Sequence, residues 1–451
     1  MTLSDLTAIA TALAPDPVYL VGGAVRDFVL GAPAHDFDLA TSAHPETVAD
    51  RLAIRFSGGG DIKINMVGAA FGVVLLTTET DTYEIATFRG DVYDGETRKP
   101  EVTYTDTIEE DLARRDFTIN AMAIDLRDTR IIDPFGGQKD LKDGVLRTPG
   151  DTRQSFRDDP LRMLRAARFL ARFNLLPAVS LKTVAYQERE QLAIVSTERI
   201  TDELCKLLQV VDPSAGFEFL STTYLSDEFF PELNRLRMED IGASSYKEVF
   251  THTLAVIRNT DHSNLRLRLS ALFHDISKPE TFAKNGKKVS FHQHEVVGAD
   301  RTREIMTRMK FPKQLTDDVV QLVRLHLRSH TSDNWTDSAV RRYIRDAGHL
   351  LTDLNALQRA DVTTRNPHKA ALLSAKMDEV ERRIAEVQAI DGAEVIKPPL
   401  DGRQIMDILG IAPGPQIGVL LNGLLEARLD NGPMTEDEAI ALLHQLAKEA
   451  T

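Results

Sequence analysis

The apolar positions of this chain follow two different periods. Up to about residue 145 they come in short runs rich in β-branched residues, including Val18 to Val21, Val73 to Leu76, Thr82 to Thr87 and Ile119 to Ile124, separated by turns and helical segments. That alternation predicts a small α/β head. Beyond Asp151 the period becomes that of amphipathic helices with few strands, and it stays so to the end. Proline and glycine interrupt it at Thr148-Pro149-Gly150, at Asp212-Pro213-Ser214 and at Ile396-Lys397-Pro398-Pro399. The expected segments are therefore a head over 1–147, a helical neck over 148–213, a helical body over 214–395 and a helical tail over 396–451.

Length agrees with several domains: 451 residues exceed one ordinary core, and a hydrophobic content of 42% fills more than one. Cys205 is the single cysteine, so no internal disulfide or cysteine-based zinc cluster can form, which fits a reducing compartment. The first positive side chain is Arg26 and no apolar run approaches the roughly 18 residues of a membrane span, so a cytoplasmic protein is expected. A net charge of −14 argues against nonspecific coating of nucleic acid, since Lys and Arg neutralise phosphate in such binding. Any RNA contact must be concentrated on one basic face.

The chemistry begins at Gly22-Gly23-Ala24-Val25-Arg26-Asp27, followed by Asp36-Phe37-Asp38. Glycines allow backbone amides to close on phosphate, a helix starts behind them, and carboxylates at i and i+2 share one strand face, where they can hold a divalent metal. Taken singly, a Gly-Gly pair is a common tight turn and Asp-x-Asp a common solvated cap. In this order and separation they resemble the nucleotidyltransferase superfamily that includes DNA polymerase β. Within it, they resemble the class II, bacterial-type CCA-adding tRNA nucleotidyltransferases and poly(A) polymerases.

The resemblance implies an α+β protein: a polymerase-β-like α/β head followed by an elongated all-helical neck, body and tail. It implies nucleotidyl transfer with two Mg²⁺ ions about 3.5–4 Å apart. Asp36 and Asp38 would be the principal ligands and Glu84 a third carboxylate from a neighbouring strand, although by sequence alone Glu84 is equally an edge-strand surface glutamate. Gly22, Gly23 and Arg26 would meet the triphosphate, with Asp27 as a cap or orienting group. Arg114-Arg115-Asp116-Phe117-Thr118-Ile119-Asn120-Ala121 is similar to a second family motif: paired guanidinium forks suit a triphosphate, Asp116 would orient one of them, and Asn120 would hold the ribose or its neighbours.

Asp158-Asp159-Pro160-Leu161-Arg162 carries starting signals for a helix with Arg162, Arg165, Arg168 and Arg172 on one stripe and Leu161, Leu164, Ala167 and Leu170 on another. It resembles the family's base-reading motif, in which Asp159 and Arg162, at i and i+3, pair with the edge of the incoming base. Asp accepts from the exocyclic amine shared by cytosine and adenine and Arg donates to a ring or carbonyl acceptor, so UTP and GTP mismatch. Asp158 replaces the family's usual glutamate. Ser196-Thr197-Glu198-Arg199-Ile200 resembles a bracing element of the neck, and Leu409 to Gly418 a tail segment that either meets tRNA phosphate or simply starts a helix.

A further set, His252, His274-Asp275 and Asp361, resembles an HD phosphohydrolase domain and would hold a divalent or transition metal, with His292, His294 and His326 as extensions toward a second ion. Ser277 stands where the HD motif usually has glycine. The domain would hydrolyse phosphate esters such as a 2′,3′-cyclic or 2′-phosphate RNA end, or serve as a scaffold for tRNA.

Resemblance over nearly the whole chain points to a CCA-adding enzyme with a fused HD domain, similar to actinobacterial members. Its partners would be the tRNA acceptor end, CTP and ATP, with no membrane. Gly68-Ala69-Ala70-Phe71 lacks the basic pair typical of poly(A) polymerases. CC-only and A-only addition stay open, as they depend on a loop expected within Arg89 to Thr105, and so does an HD hydrolase with a degenerate RNA-binding head. Cations between Arg301 and Arg345, among them Lys310, Lys313, Arg324, Arg341 and Arg342, are expected to meet tRNA by shape.

Overall fold

The first apolar run, Val18 to Val21, becomes an inner strand of the head. A computed structural model of the protein describes residues 3–33, 37–57, 62–66, 72–78, 81–92, 101–238, 249–286, 288–328, 335–364, 366–392 and 396–449. Asp36, Gly68 to Phe71 and the Arg98-Lys99-Pro100 segment fall outside these residues. The chain forms two compact units, Met1–Pro231 and Glu232–Thr451. No described helix is long and apolar enough to cross a membrane.

The first unit contains β1 (Val18–Val21), β2 (Phe37–Thr41), β3 (Lys63–Asn65), β4 (Val73–Thr77), β5 (Thr82–Thr87), β6 (Arg89–Val92), β7 (Glu101–Tyr104), β8 (Ala123–Asp125) and β9 (Ile131–Ile132). Seven of them make one sheet, in the order β3-β4-β5-β2-β1-β8-β9, and β6 pairs with β7 separately. Within this sheet, among the described residues, only β2 and β5 run parallel, with Asp38 opposite Glu84. Period-two alternation sorts the side chains. Val18, Leu20, Phe37, Leu39, Tyr83 and Ile85 enter one core, beneath the helices Leu3–Leu13 and Pro45–Phe56. Tyr19, Val21 and Ala40 face the other way, into a smaller core with Phe88, Ile108 and Leu112. Asp38 and Glu84 share that second face by the same alternation.

The apolar run Ile119 to Ile124 is not one strand. Thr118–Asn120 is a single 3₁₀ turn, and the strand starts at Ala123. The turn is closed from outside by Gly137, where a Cβ would lie 2.3 Å from the Thr118 carbonyl oxygen. Its effect is to turn Asn120 away from the sheet.

The neck begins with a short helix, Thr152–Asp158, but Asp159 is extended (φ −142°, ψ 98°) and the next helix runs over Leu161–Phe173. Leu161, Leu164, Ala167 and Leu170 are its buried stripe. Phe169 meets Phe117 of the head edge-on, centroids 5.5 Å apart, which fastens this helix to the Arg114–Ala121 segment. Helix Ser214–Thr222, expected in the body, packs against it instead. Gly216 permits the contact, since a Cβ there would come within 2.6 Å of the Ala167 carbonyl.

Among its described residues the second unit is helical apart from one hairpin, β12 (Phe282–Asn285) with β13 (Lys288–Phe291), preceded in the chain by the two-residue strands β10 (Val145–Leu146) and β11 (Leu176–Pro177) of the neck. Asn285 pairs with Lys288, and Gly286, in the loop between them, takes the left-handed conformation (φ 61°). Helices Val249–Asn259, Leu265–Phe273, His294–Arg308, Lys313–Leu325 and Leu351–Ala360 surround a histidine cluster. The last three helices, Gly402–Leu409, Pro415–Asn431 and Glu436–Glu449, share their own core around Leu420, Leu424 and Leu443.

Candidate functional site

In the first unit, a cleft of about 410 Å³ brings together Gly22, Gly23, Arg26, Asp38, Arg114, Arg115, Asp116, Asn120, Asp159, Arg162, Arg165 and Arg168. Gly22 is left-handed (φ 71°), and a Cβ on it would lie 2.9 Å from Arg115 Nη1 and 3.6 Å from Asp38 Oδ2. The left-handed backbone favours glycine here, and a Cβ would also oblige the Arg115 guanidinium to move back from the turn. Across the strand pair, loss of hydration and the Asp38 charge push the Glu84 carboxyl up. Two carboxylates facing each other in this way favour a cation between them.

The guanidinium groups are fixed by buried acids. Asp111, fully buried at the end of helix Ile108–Ala113, accepts from Arg114 Nη2 at 2.8 Å and from Arg115 Nη2 at 3.1 Å. Burial alone would push the Asp111 carboxyl up, but the two guanidinium charges hold it below its ordinary range. Asp116 accepts through Oδ2 from Arg165 Nε at 2.9 Å and through Oδ1 from Asn120 Nδ2 at 2.9 Å. Against its own burial, Arg165 keeps it ionised. Asn120 Oδ1 in turn accepts from Arg26 Nη1 at 2.6 Å, and Asp27 Oδ1 accepts from Arg26 Nε at 2.9 Å. Arg26 lies over the Phe173 ring at 4.4 Å, and burial lowers its pKa. Glu203, from helix Thr197–Leu208, accepts from Arg168 Nε at 2.8 Å.

Arg162 is held differently, donating to Ser155 Oγ at 2.8 Å and to the Arg114 carbonyl at 2.6 Å. Asp159 accepts from the Leu161 amide at 3.2 Å and has Arg199 Nη2 at 3.4 Å.

In the second unit, His252 Nε2 lies 2.9 Å from Asp361 Oδ1, 3.4 Å from Asp275 Oδ2 and 3.3 Å from His274 Nε2. His274 Nε2 is 3.1 Å from Asp275 Oδ2 and 3.7 Å from Asp361 Oδ1. Ligands about 2.1 Å from one four-coordinate ion stand roughly 3.4 Å apart, so this set fits a single metal. His252 Nδ1 meets Thr363 Oγ1 at 2.8 Å, and His274 Nδ1 donates to the Ala271 carbonyl at 2.8 Å; outer partners of this kind aim a ligand nitrogen. Burial would push Asp275 up, but the neighbouring His274 charge holds it well below the carboxylate range. A cleft of about 350 Å³ opens on His252 and Asp361, with Lys278 and Lys369 at its wall. Lys278 Nζ is 2.6 Å from Asp275 Oδ2.

The comparisons with known proteins follow the same division. The Poly A polymerase head domain family matches residues 18–147, the family described as the probable RNA and SrmB-binding site of polymerase A matches 185–236, and the HD domain matches 249–382. Over 451 aligned residues, 96% of each chain, the protein is 35% identical to the A-adding tRNA nucleotidyltransferase of Deinococcus radiodurans. The chain belongs to the tRNA nucleotidyltransferase family of the CCA-adding enzymes. It is 43% identical over 209 residues to the CCA-adding enzyme of Geobacillus thermodenitrificans, 46% of this chain and 49% of that one. The crystal structure of the Bacillus stearothermophilus CCA-adding enzyme in complex with CTP superimposes with a TM-score of 0.74 over 100% of this chain and 99% of that one, at 25% identity.

In this tRNA nucleotidyltransferase, the expected site residues have the following partners. Asp111 holds both Arg114 and Arg115, and Asp116 holds Arg165. Asn120 donates one amide hydrogen to Asp116 and accepts from Arg26, so it links the two and keeps a second amide hydrogen. Asp159 and Arg162 share the cleft, yet not through helical i, i+3 spacing, because Asp159 precedes the helix. Among the extensions of the HD set, His294 and His326 join the cluster, whereas His292 is exposed. Of the cations expected to meet tRNA, Arg341 is buried against Asp391, and Arg342 is paired with Glu426 and Asp430. Asp111 and Glu203 were not foreseen. Asp111 had a local signal, at three and four residues before the paired arginines; Glu203 had none.

Proposed function

We propose that this nucleotidyltransferase adds C, C and A from CTP and ATP to the 3′ end of tRNA without a nucleic-acid template, acting in the cytoplasm. The observation that carries the reading is that Asp38, the arginine pair, and the Asp159 and Arg162 side chains open into one cleft. Asp36, Asp38 and Glu84 would hold Mg²⁺. When bound, the metal supplies charge neutralisation and a lowered hydroxyl pKa for the attacking 3′ end. Arg114 and Arg115 grip the triphosphate from positions fixed by Asp111, and Arg26 stands behind the glycine turn. Asp159 accepts from the amino group of cytosine or adenine while Arg162 donates to the adjoining acceptor, so the protein replaces the template edge.

Incubation of the purified chain with tRNA lacking its 3′ end, Mg²⁺ and each nucleotide separately tests this. C followed by A is expected. Incorporation of A alone, and only on tRNA ending in CC, would assign the narrower activity of the Deinococcus relative; an A ladder would indicate poly(A) synthesis.

A second activity has its own support. The convergence of His252, His274, Asp275 and Asp361 favours a metal-dependent phosphohydrolase acting on a 2′,3′-cyclic or 2′-phosphate RNA end. The two lysines of the adjoining cleft suit the phosphate. Hydrolysis of 2′,3′-cyclic nucleotide with added Mn²⁺ or Ni²⁺, lost in His252→Ala, is the expected result.

A further inference from the structure

One cation of the head cleft has no acid of its own. Arg172, on the last turn of the helix Leu161–Phe173, is exposed and lines the cleft, yet its guanidinium makes no ion pair or hydrogen bond among the described residues. The other arginines that line the cleft are held by carboxylates or, at Arg162, by Ser155 Oγ and the Arg114 carbonyl.

What Arg172 does touch is an aromatic ring. Its guanidinium carbon lies 5.2 Å from the centroid of Phe173, and that of Arg26 lies 4.4 Å from the same centroid. Arg26 is already committed: Nε and Nη2 meet Asp27 Oδ1 at 2.9 and 2.7 Å, and Nη1 meets Asn120 Oδ1 at 2.6 Å. A ring face fixes where a guanidinium lies without occupying its N–H donors, so those of Arg172 stay available to a ligand.

The position of Arg172 selects that ligand. A Cβ on Gly23 would stand 3.5 Å from Arg26 Nη2, so the shared ring sets Arg172 at the Gly23 side of the glycine turn. Arg162, at the opposite end of the same helix, is about 15 Å away along the axis at 1.5 Å per residue. A nucleoside triphosphate whose base edge meets Arg162 extends its phosphates past Asp38 and Arg115 toward Gly23, and its last phosphate arrives beyond the reach of the groups already committed. We propose that Arg172 binds this terminal phosphate, with the Phe173 ring as its support. The inference rests on the reading of the head cleft as the nucleotide site. It makes the third phosphate a selected feature, and pyrophosphate, which retains that phosphate, competes for the same cation.

Full-length wild type and Arg172→Gln are titrated with CTP and with CDP in the presence of Mg²⁺ and without tRNA, and binding is followed by calorimetry. The wild type is expected to prefer CTP. In Arg172→Gln, affinity for CTP should fall about 10-fold, the scale of one hydrogen bond to a charged group, while affinity for CDP holds. The ratio of the two affinities is insensitive to partial loss of folded protein. In transfer assays KM for CTP and for ATP should rise by the same factor with kcat unchanged, and pyrophosphate should inhibit more weakly. Arg172→Lys, a point charge in place of the fork, should recover part of the preference for CTP. Equal losses for CTP and CDP, or unchanged nucleotide affinity with a raised KM for tRNA alone, overturn the assignment, the second outcome giving Arg172 to the RNA backbone. A wild type that binds neither nucleotide overturns the reading of the cleft and this inference with it.

Discussion

The head cleft and the histidine cluster both concentrate charge, but they fix it by different means. In the head, guanidinium groups are set by side chains: Arg114 and Arg115 locally by Asp111, but Arg165 by Asp116, Arg26 by Asn120 of the 3₁₀ turn and Arg168 by Glu203, each from a distant segment. In the HD cluster, three of the four rings are set by a backbone carbonyl three residues earlier, at Ala271, Phe291 and Val323. Side-chain relays couple positions to one another. Backbone anchors keep each ligand local, so a single substitution should travel far in the head and hardly at all in the cluster.

The largest effect expected on this basis is that of Asp38→Ala. It removes a carboxylate from the Gly22, Arg115 and Glu84 neighbourhood, and nucleotide transfer should fall by at least ~10³-fold, the several kcal/mol that a catalytic metal provides. Binding of tRNA, measured by filter retention, should stay within about twofold, because none of the relay's other members is lost; Co²⁺ binding by the second unit should not change. Transfer at the wild-type rate would remove Asp38 from the metal site.

Asp111→Asn comes next. It leaves two guanidinium groups beside each other with one neutral acceptor, and breaking a buried pair from one side should cost about 3 kcal/mol of stability, the low end for such a change because both arginines keep some contact with water. The folded Asp111 carboxyl titrates below its unfolded value, so its contribution is complete above about pH 4 and disappears as pH falls through the folded value. Thermal midpoints of the two proteins should therefore converge as the medium is acidified below that range. A gap that is independent of pH would assign the loss to packing instead of charge.

How much of this was legible beforehand depended on whether a feature is local. The strands at Val18 to Val21 and Thr82 to Thr87 read directly from alternation, and the arginine helix from its two stripes. The run Ile119 to Ile124 misled because a 3₁₀ turn has no apolar period of its own, and only the approach of Gly137 forces it. The hairpin of Phe282–Asn285 with Lys288–Phe291 lies in a stretch read only as amphipathic helices with few strands, because the helical period around it dominates. Among the histidines, Gln293 adopts a left-handed conformation (φ 58°) that leaves His292 outside and turns His294 inward, a choice that composition cannot reveal. Glu203 becomes visible only once two neck helices pack.

Thr363→Val sharpens the contrast within the cluster. Thr363 is the one side chain among the four Nδ1 partners, and its removal frees the His252 ring while leaving the three carbonyl anchors untouched. Affinity for a metal held by His252, His274, Asp275 and Asp361 should drop ~10–100-fold, the usual scale for losing an outer partner, with folding unchanged. Isothermal titration with Co²⁺ reads this directly. Equal affinity in the variant would mean that helix Val249–Asn259 alone orients His252.

The smallest change expected is also the most selective. Arg162 donates to Ser155 Oγ and the Arg114 carbonyl, which leaves the rest of its five donors for a base edge in the cleft. In Arg162→Ala, Asp159 still accepts from an amino group, and Arg114, Arg115 and Arg165 still face the triphosphate, so nucleotide binding should persist. Discrimination of CTP from UTP should fall about 10-fold, near the lower end of the 1–3 kcal/mol that a paired base contact provides. Competing CTP and UTP on tRNA lacking its 3′ end gives the ratio of kcat/KM values. Arg162→Lys keeps the charge without the planar fork, and should lose nearly as much selectivity if geometry decides. Unaltered preference for CTP in both variants would move base recognition away from Arg162, and with it the reason for fastening this helix so closely to the head.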